Sequence, residues 1–307
     1  MAVVLKDPNL PNSETNPYLV SSYDDMKLAV SGSDGTKNIF VRGKQVYGEL
    51  TIDLDMNKDK PLDFEWETMQ FNNSVSDNKS YYFTLDLKGH TIQNIMLKKD
   101  NKLFQSNNGG RLTLKNGAIR NVFSSEAVSF FDGQVLTNIS FSGNGDSLTD
   151  VAFNNVRVSG CSIYYQALKD VTKRIFSTES GHPVRNSDVY LDLKRCTSSI
   201  AICGGTSSNT IFDGCRLRGN AAWNSSSFGN ILTGVCTSCV VDMTLTKSGD
   251  GYGFCGGGST GVINNSKCFG GSWDHNTTSN CLTPCTDNEI RTYANLISKG
   301  FAVMKVG

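Results

Sequence analysis

Apolar and polar residues alternate over short stretches of this chain, and the alternation is interrupted by a recurrent corner. The corner reads as an apolar residue, any residue, usually Asn or Gly, then a short apolar strand. Eight copies align: Leu87-Lys-Gly-His-Thr-Ile92, Leu114-Lys-Asn-Gly-Ala-Ile119, Leu136-Thr-Asn-Ile-Ser-Phe141, Phe153-Asn-Asn-Val-Arg-Val158, Leu193-Lys-Arg-Cys-Thr-Ser198, Phe212-Asp-Gly-Cys-Arg-Leu217, Cys236-Thr-Ser-Cys-Val-Val241 and Ile263-Asn-Asn-Ser-Lys-Cys268. Steps between first positions are 27, 22, 17, 40, 19, 24 and 27 residues. The step of 40 covers roughly two units, which predicts a degenerate copy near Leu168–Lys173. A repeat of this length predicts stacked supersecondary units rather than one closed core.

The third position sets the geometry. It holds Gly89, Asn116, Asn138, Asn155, Gly214 and Asn265, and Asn and Gly are the residues that tolerate positive φ. One such residue between two short strands turns the chain sharply, so that the apolar residues on either side point inward from adjoining walls. Stacked corners of this kind build a parallel β-helix with an Asn/Gly ladder along one edge, of roughly nine coils at the spacing of paired strands. A β-sandwich would instead favour Asn-Gly or Asp-Gly hairpin loops, and Asn116-Gly117 is the one corner copy of that type. A leucine-rich repeat is disfavoured because the period wanders and no helical segment fills each unit.

Outside the repeat, residues 1–20 are polar, contain Pro8, Pro11 and Pro17, and read as an extended arm, either an attachment segment or disordered. Ser22 can cap a short helix over residues 22–31, with Asp24 and Asp25 in its first turn. A lid is expected there because the first coil has unpaired edges. Strand-like runs at Asn38–Val41, Val46–Leu54 and Phe64–Phe71 begin the stack, and Asp287–Val306 has helical spacing followed by an apolar strand. The expected division is an arm and capping helix over 1–37, the β-helix over 38–275, and a cap or oligomer contact over 276–307.

The Leu-x-Asn-x-x-Ile corners, uneven coil lengths and Gly/Ser/Asn-rich excursions over roughly residues 80–270 resemble the pectin-lyase-like superfamily of right-handed parallel β-helices. The resemblance implies an all-β, right-handed parallel β-helix with short helical caps. It is nearly silent on chemistry, since that superfamily includes polysaccharide lyases, glycosidases and phage tailspikes. The uneven coils and terminal caps are most similar to bacteriophage spike or fibre proteins, and homotrimers are common among such spikes.

Composition narrows the function classes. Lys plus Arg equals Asp plus Glu, 29 each, so no global field points to a nucleic-acid partner. No run of about 18 apolar residues suggests a membrane span. Met1-Ala-Val-Val-Leu-Lys6 lacks the basic start and apolar core of a secretion signal, which implies synthesis in a host cytoplasm. All ten cysteines follow residue 160. Cys196, Cys215 and Cys239 share an aligned position and read as buried, reduced, metal-free thiols. Cys281 and Cys285 lie outside the repeat and are the candidates for a metal or a local disulfide. No cofactor is expected.

Repetition also allows a search for catalytic acids, because residues in phase on adjacent coils are neighbours and glycosidases need two carboxylates about 5–10 Å apart. At two outward phases the alignment gives opposite-sign pairs, Lys194 with Asp213 and Arg218 with Asp242. Acids in the excursions, Asp146, Glu179, Asp250 and Asp274, could still form a pair. His90 falls at an inward phase and reads as a core residue, while His182 lies in an excursion with Glu179 and Arg185. Trp223, Tyr252 and Trp273 are the glycan-binding candidates, since aromatic faces in loops suit sugars. The expected function is a virion structural protein, a spike, fibre or tail-associated element that contributes to host-surface adhesion or assembly. Its expected partners are other virion proteins, host surface polysaccharide and further copies of itself. The alternatives are a polysaccharide-degrading glycosidase or lyase on the same fold, and a purely architectural virion subunit.

Overall fold

A computed structural model describes residues 3–61, 63–71, 81–106, 110–125, 129–146, 148, 150–178, 181–196, 200–204, 210–223, 230–237, 240–247, 261–264, 266–268 and 282–284. The chain is mostly β, a large curled sheet in which parallel pairing dominates. The expected C-terminal helix at Asp287–Val306 lies outside the described residues, as do Cys239 and Asn265.

Each strand of the principal wall pairs in parallel with the strand one pass later. The order runs Gln45–Leu50, Tyr82–Asp86, Arg111–Ser124, Val135–Gly145, Ser162–Val171, Asp188–Cys196, Arg216–Trp223 and Val240–Lys247. A second parallel run joins Met69–Phe71, Phe104–Ser106, Phe131–Asp132, Phe153–Ser159, Phe176–Thr178, Ile200–Gly204 and Asn230–Thr237. Register brings like residues together. Phe104, Phe131, Phe153 and Phe176 form one buried file, with successive ring centroids 6.2, 5.5 and 4.9 Å apart. Burying each such ring contributes about 1.5–3 kcal/mol, and packing against its neighbours adds to this.

The corners sit at positive φ as the alternation predicts, with Asn116 at 57°, Asn138 at 53° and Asn155 at 50°. Their phasing differs from the sequence alignment at three copies. The apolar residue before the principal corner is Leu85, Leu114, Leu136, Val158, Val184, Phe212, Cys236 and Ile263 in successive passes. The steps are therefore 29, 22, 22, 26, 28, 24 and 27 residues, with no double step and no copy at 168–173, where strand Ser162–Val171 runs to its end. Leu87 is displaced by a longer first corner, where Lys88 and Gly89 both take positive φ. Phe153-Asn-Asn155 turns a different corner, at the second run, in register with Phe131-Asp132. Leu193–Cys196 is no corner but the end of a strand with a register shift. The copies overlooked are Val158-Ser-Gly160 and Val184-Arg-Asn186. Asn or Gly makes a turn wherever two strands meet, so the motif alone does not say which corner it turns.

The principal corners interlock. Asn138 Nδ2 donates to Asn116 Oδ1 at 3.2 Å. At the next rung, a Cβ on Gly160 would lie 2.5 Å from Asn138 Oδ1, and one on Gly214 would lie 2.7 Å from Asn186 Oδ1. An Asn side chain thus fills the space that the Gly of the following pass leaves open.

The start of the sheet is covered. Helix Tyr23–Ser31 is capped by Ser22, whose Oγ accepts from Asp25 N–H at 3.0 Å, and ends at Gly32 with φ 91°. Its buried face carries Tyr23, Met26, Ala29 and Val30, with Tyr23 edge-on to Phe64 and Trp66. The N-terminal arm is docked rather than free. Val4–Leu5 pairs antiparallel with Tyr18–Val20, which joins Gln45–Leu50 in parallel. Asn12 clasps the backbone of Tyr47 through both its amide groups, at 2.8 and 2.9 Å, and Glu14 meets Lys115 at 2.6 Å.

Asn138→Val should destabilise the fold by about 1–3 kcal/mol, since a β-branched residue is strained at this φ and the Asn116 bond is lost. Thermal or urea unfolding measures this; an unchanged midpoint would contradict the ladder's role.

Candidate binding face

Parallel register lines up outward side chains as it does inward ones. One outward file runs Asp55, Gln93, Arg120, Ser142, Tyr164, Tyr190 and Arg218, with Asp242 next in backbone register. A register shift between Phe141 and Gly143 sets Ser142 opposite the Arg120–Asn121 step, where Asn121 N–H donates to Ser142 Oγ at 3.1 Å. Tyr164 and Tyr190 stack with centroids 5.1 Å apart and planes 7° off parallel. Arg218 Cζ sits 5.7 Å from the Tyr190 centroid. Its guanidinium donates twice to Asp188, at 2.9 and 2.8 Å, and Asp188 is only 2% exposed. This is a bidentate, charge-assisted pair. Beside the rings, Gln166 Nε2 donates to Asp192 Oδ2 at 2.9 Å, and Lys194 Nζ lies 3.3 Å from the same oxygen. Tyr164 is 40% exposed, and partial burial followed by nearby Tyr190 and Asp192 raises its hydroxyl above the ordinary pKa.

The expected site residues are distributed differently. Trp223 ends strand Arg216–Trp223 in register with Cys196 and Lys247; its side chain is not among those described. Tyr252, Trp273, Cys281 and Cys285 lie outside the described residues, together with Glu179, Asp250 and Asp274. The aromatics that stack on the described face are Tyr164, 40% exposed, and the half-buried Tyr190, neither of which is among the expected site residues. Their signal was present, since they occupy the same outward place in Ser162-Ile-Tyr164 and Asp188-Val-Tyr190, but only the corrected phase reveals it.

The expected charge pairs also change. Lys194 meets Asp192 instead of Asp213, whose partner is Arg185 at 3.6 Å. Arg218 stands in register with Asp242, as expected, and its guanidinium donates to Asp188. His90 is no core residue. It lies at the long first corner, about one-third exposed, with Nδ1 3.1 Å from Asp53 Oδ1. His182 lines a cleft of about 140 Å3 with Ser159, Arg157 and Arg185, and no carboxylate lines it among the described residues. Asp146 pairs with Lys169 at 2.8 Å.

One acid pair does stand in register, Glu49 beside Asp86. Lys88 Nζ sits 3.8 Å from Glu49 and 3.7 Å from Asp86, Lys115 Nζ is 3.6 Å from Asp86, and Lys6 Nζ is 3.9 Å from Glu49. The space over them is about 10 Å3, room for about one water. Such a clamped pair holds the arm against the sheet and leaves no access for a sugar. A larger cleft, of about 550 Å3, opens at the Asn121 corner, with Met56, Phe64, Ile95 and Phe123 in its walls.

The cysteines split as well. Cys161 and Cys215, not Cys196, share the position after the principal corner. Cys161, Cys196 and Cys215 are buried free thiols. Burial pushes Cys161 up to about 11 and Cys196 up to about 12. Among the described residues no cluster of three His, Cys, Asp or Glu could hold a metal, and no helix is long and apolar enough to cross a membrane.

Comparison with known proteins gives no match: no family model, no curated protein and no solved structure matches the chain.

Two outcomes follow from this geometry. In folded protein at pH 8, Cys161, Cys196 and Cys215 should resist alkylation, and should react once urea is added, as read by peptide mass mapping; labelling of the native thiols would contradict their burial. Arg218→Met should cost about 3 kcal/mol by leaving the Asp188 carboxylate buried and unpaired, and adding Asp188→Asn should recover more than half of that loss in urea unfolding.

Proposed function

We propose that the chain is a right-handed parallel β-helix that serves as a bacteriophage virion structural protein, a spike, fibre or tail-associated element contacting polysaccharide on the host surface. The observation that carries this reading is the in-register stacking of successive passes, which turns a short motif into continuous outward files. A surface of that kind offers one side-chain chemistry at each strand step, and it suits a ligand that is itself a repeating chain. The docked arm and capping helix, which cover the first strands, favour a robust structural role. The β-helix, virion and trimer assignments draw on the resemblance of the corners to the pectin-lyase-like superfamily and its phage spikes. Synthesis in a host cytoplasm and assembly with other virion proteins belong to the same reading.

The polysaccharide-degrading alternative has one observation in its favour, the in-register Glu49 and Asp86. Their lysine clamp and closed surroundings weigh against it.

The test is electron microscopy of virions labelled with an antibody to this chain, combined with incubation of the purified protein with capsule or wall polysaccharide. Labelled spikes, retained polysaccharide and no new reducing ends or unsaturated products are expected. Turnover abolished by Asp86→Asn would replace adhesion with catalysis, and absence of label from virions would overturn the virion assignment.

A further inference from the structure

The aromatic stack is open at one end. Tyr164 has one ring face against Tyr190, 5.1 Å away. On its other side the next rung of the file is Ser142, which has no ring to offer. Paired strands are about 4.8 Å apart, close to the ring separation already seen, so the Ser142 rung leaves a gap one flat ring thick. Beyond that gap the file continues with Arg120, an exposed residue. Among the described residues, Arg120 forms no ion pair with an acid. Ser142 Oγ accepts from Asn121 N–H, which leaves its own hydroxyl proton to donate. Asn121 also lines the cleft of about 550 Å3, so a chain leaving the gap has a channel to enter.

We infer that this gap is a saccharide-binding slot, filled by a pyranose ring of a polysaccharide. The apolar C–H face of the sugar packs on Tyr164, its neighbouring hydroxyls take the guanidinium fork of Arg120, and Ser142 donates from the floor. Sites for such ligands combine an apolar surface with a few fixed polar groups, and the slot has both. Tyr164 is also held in advance. Tyr190 backs it, Arg218 backs Tyr190, and the buried Asp188 fixes Arg218 through two hydrogen bonds. Little side-chain freedom is then lost when the sugar arrives. The slot rests on the polysaccharide contact proposed above and gives it a location.

The experiment fills the slot from within. Ser142→Tyr supplies the missing ring, Tyr164→Ala removes the stacking face, and Arg120→Gln removes the fork, each in the full chain. Binding of cellohexaose, maltohexaose and a hexagalacturonate is followed by calorimetry, with melting temperature and sedimentation velocity alongside. At least one of these sugars should bind the wild type. Ser142→Tyr and Tyr164→Ala should each weaken that binding by roughly tenfold or more, and Arg120→Gln by less, with melting temperatures close to wild type. Lys169→Gln, five residues along the strand that carries Tyr164, should bind as the wild type does. Binding that ignores both Ser142→Tyr and Tyr164→Ala would overturn the slot while leaving polysaccharide adhesion standing. Absence of binding to all three sugars would also overturn it, with virion labelling still able to support the structural role. A shift in sedimentation caused by Ser142→Tyr without a change in sugar binding would make the gap a contact between copies of the chain, and would overturn the proposal.

Discussion

Parallel register between successive passes of the chain is the constraint on which the rest depends. Because each strand pairs with the equivalent residues of the next pass, every side chain has its counterpart about one strand spacing away. Inside, this produces files such as Phe104–Phe131–Phe153–Phe176, where aromatic rings meet ring after ring. Outside, the same rule stacks Tyr164 on Tyr190 and sets Arg218 beside them. A slip of one residue would exchange the two sets, so the buried phenylalanines fix the outward file as firmly as they fix the core.

The corners keep that register by local chemistry. Each needs a residue at positive φ, and each must also share space with the rung above and below. Asn meets both needs when it bonds to another Asn, as Asn138 does to Asn116, or when it lies over a Gly, as Asn138 does over Gly160. Charges then serve the same purpose along the sheet's edges. Glu49, Asp86, Lys88, Lys115 and Glu14 form one network tying the N-terminal arm to three strands. Pairs with an exposed partner such as Lys88 or Glu14 contribute little singly, and the effect of the network is to hold a polar segment in one position against the largely buried Glu49 and Asp86. That commitment is also what separates Glu49 and Asp86 from a catalytic pair, which needs an open approach and one carboxyl available as a proton donor.

The contrast between the two walls of the Tyr190 rung shows how function can be laid on such a scaffold. On the Arg218 side the stack is closed by a buried carboxylate and a bidentate pair. On the Ser142 side it ends in a small hydroxyl with a cation one rung farther. Closed on one side and open on the other, the stack is asymmetric in a way that packing of the core does not require. A ligand made of repeating rings is suited to such a surface because its own period runs along the file.

Much of the architecture was legible from residues alone. Alternation gave the strands, Asn and Gly gave the positive-φ corners at 116, 138 and 155, and Ser22 with Asp24 and Asp25 marked the start of the first helix. These are local effects, set by steric limits on φ and by hydrogen bonds a few residues long, so the sequence carries them directly. Phase was different. Phe153-Asn-Asn155 and Val158-Ser-Gly160 obey the same local rule, and only pairing with neighbouring passes decides that the second turns the principal corner. From that one decision follows the emergence of Tyr164 and Tyr190 on one outward file beside the Arg218–Asp188 pair, while the longer first corner exposes His90. Those contacts join residues 26–37 positions apart. Their identity depends on the length of each excursion between strands, which tertiary pairing alone adds up.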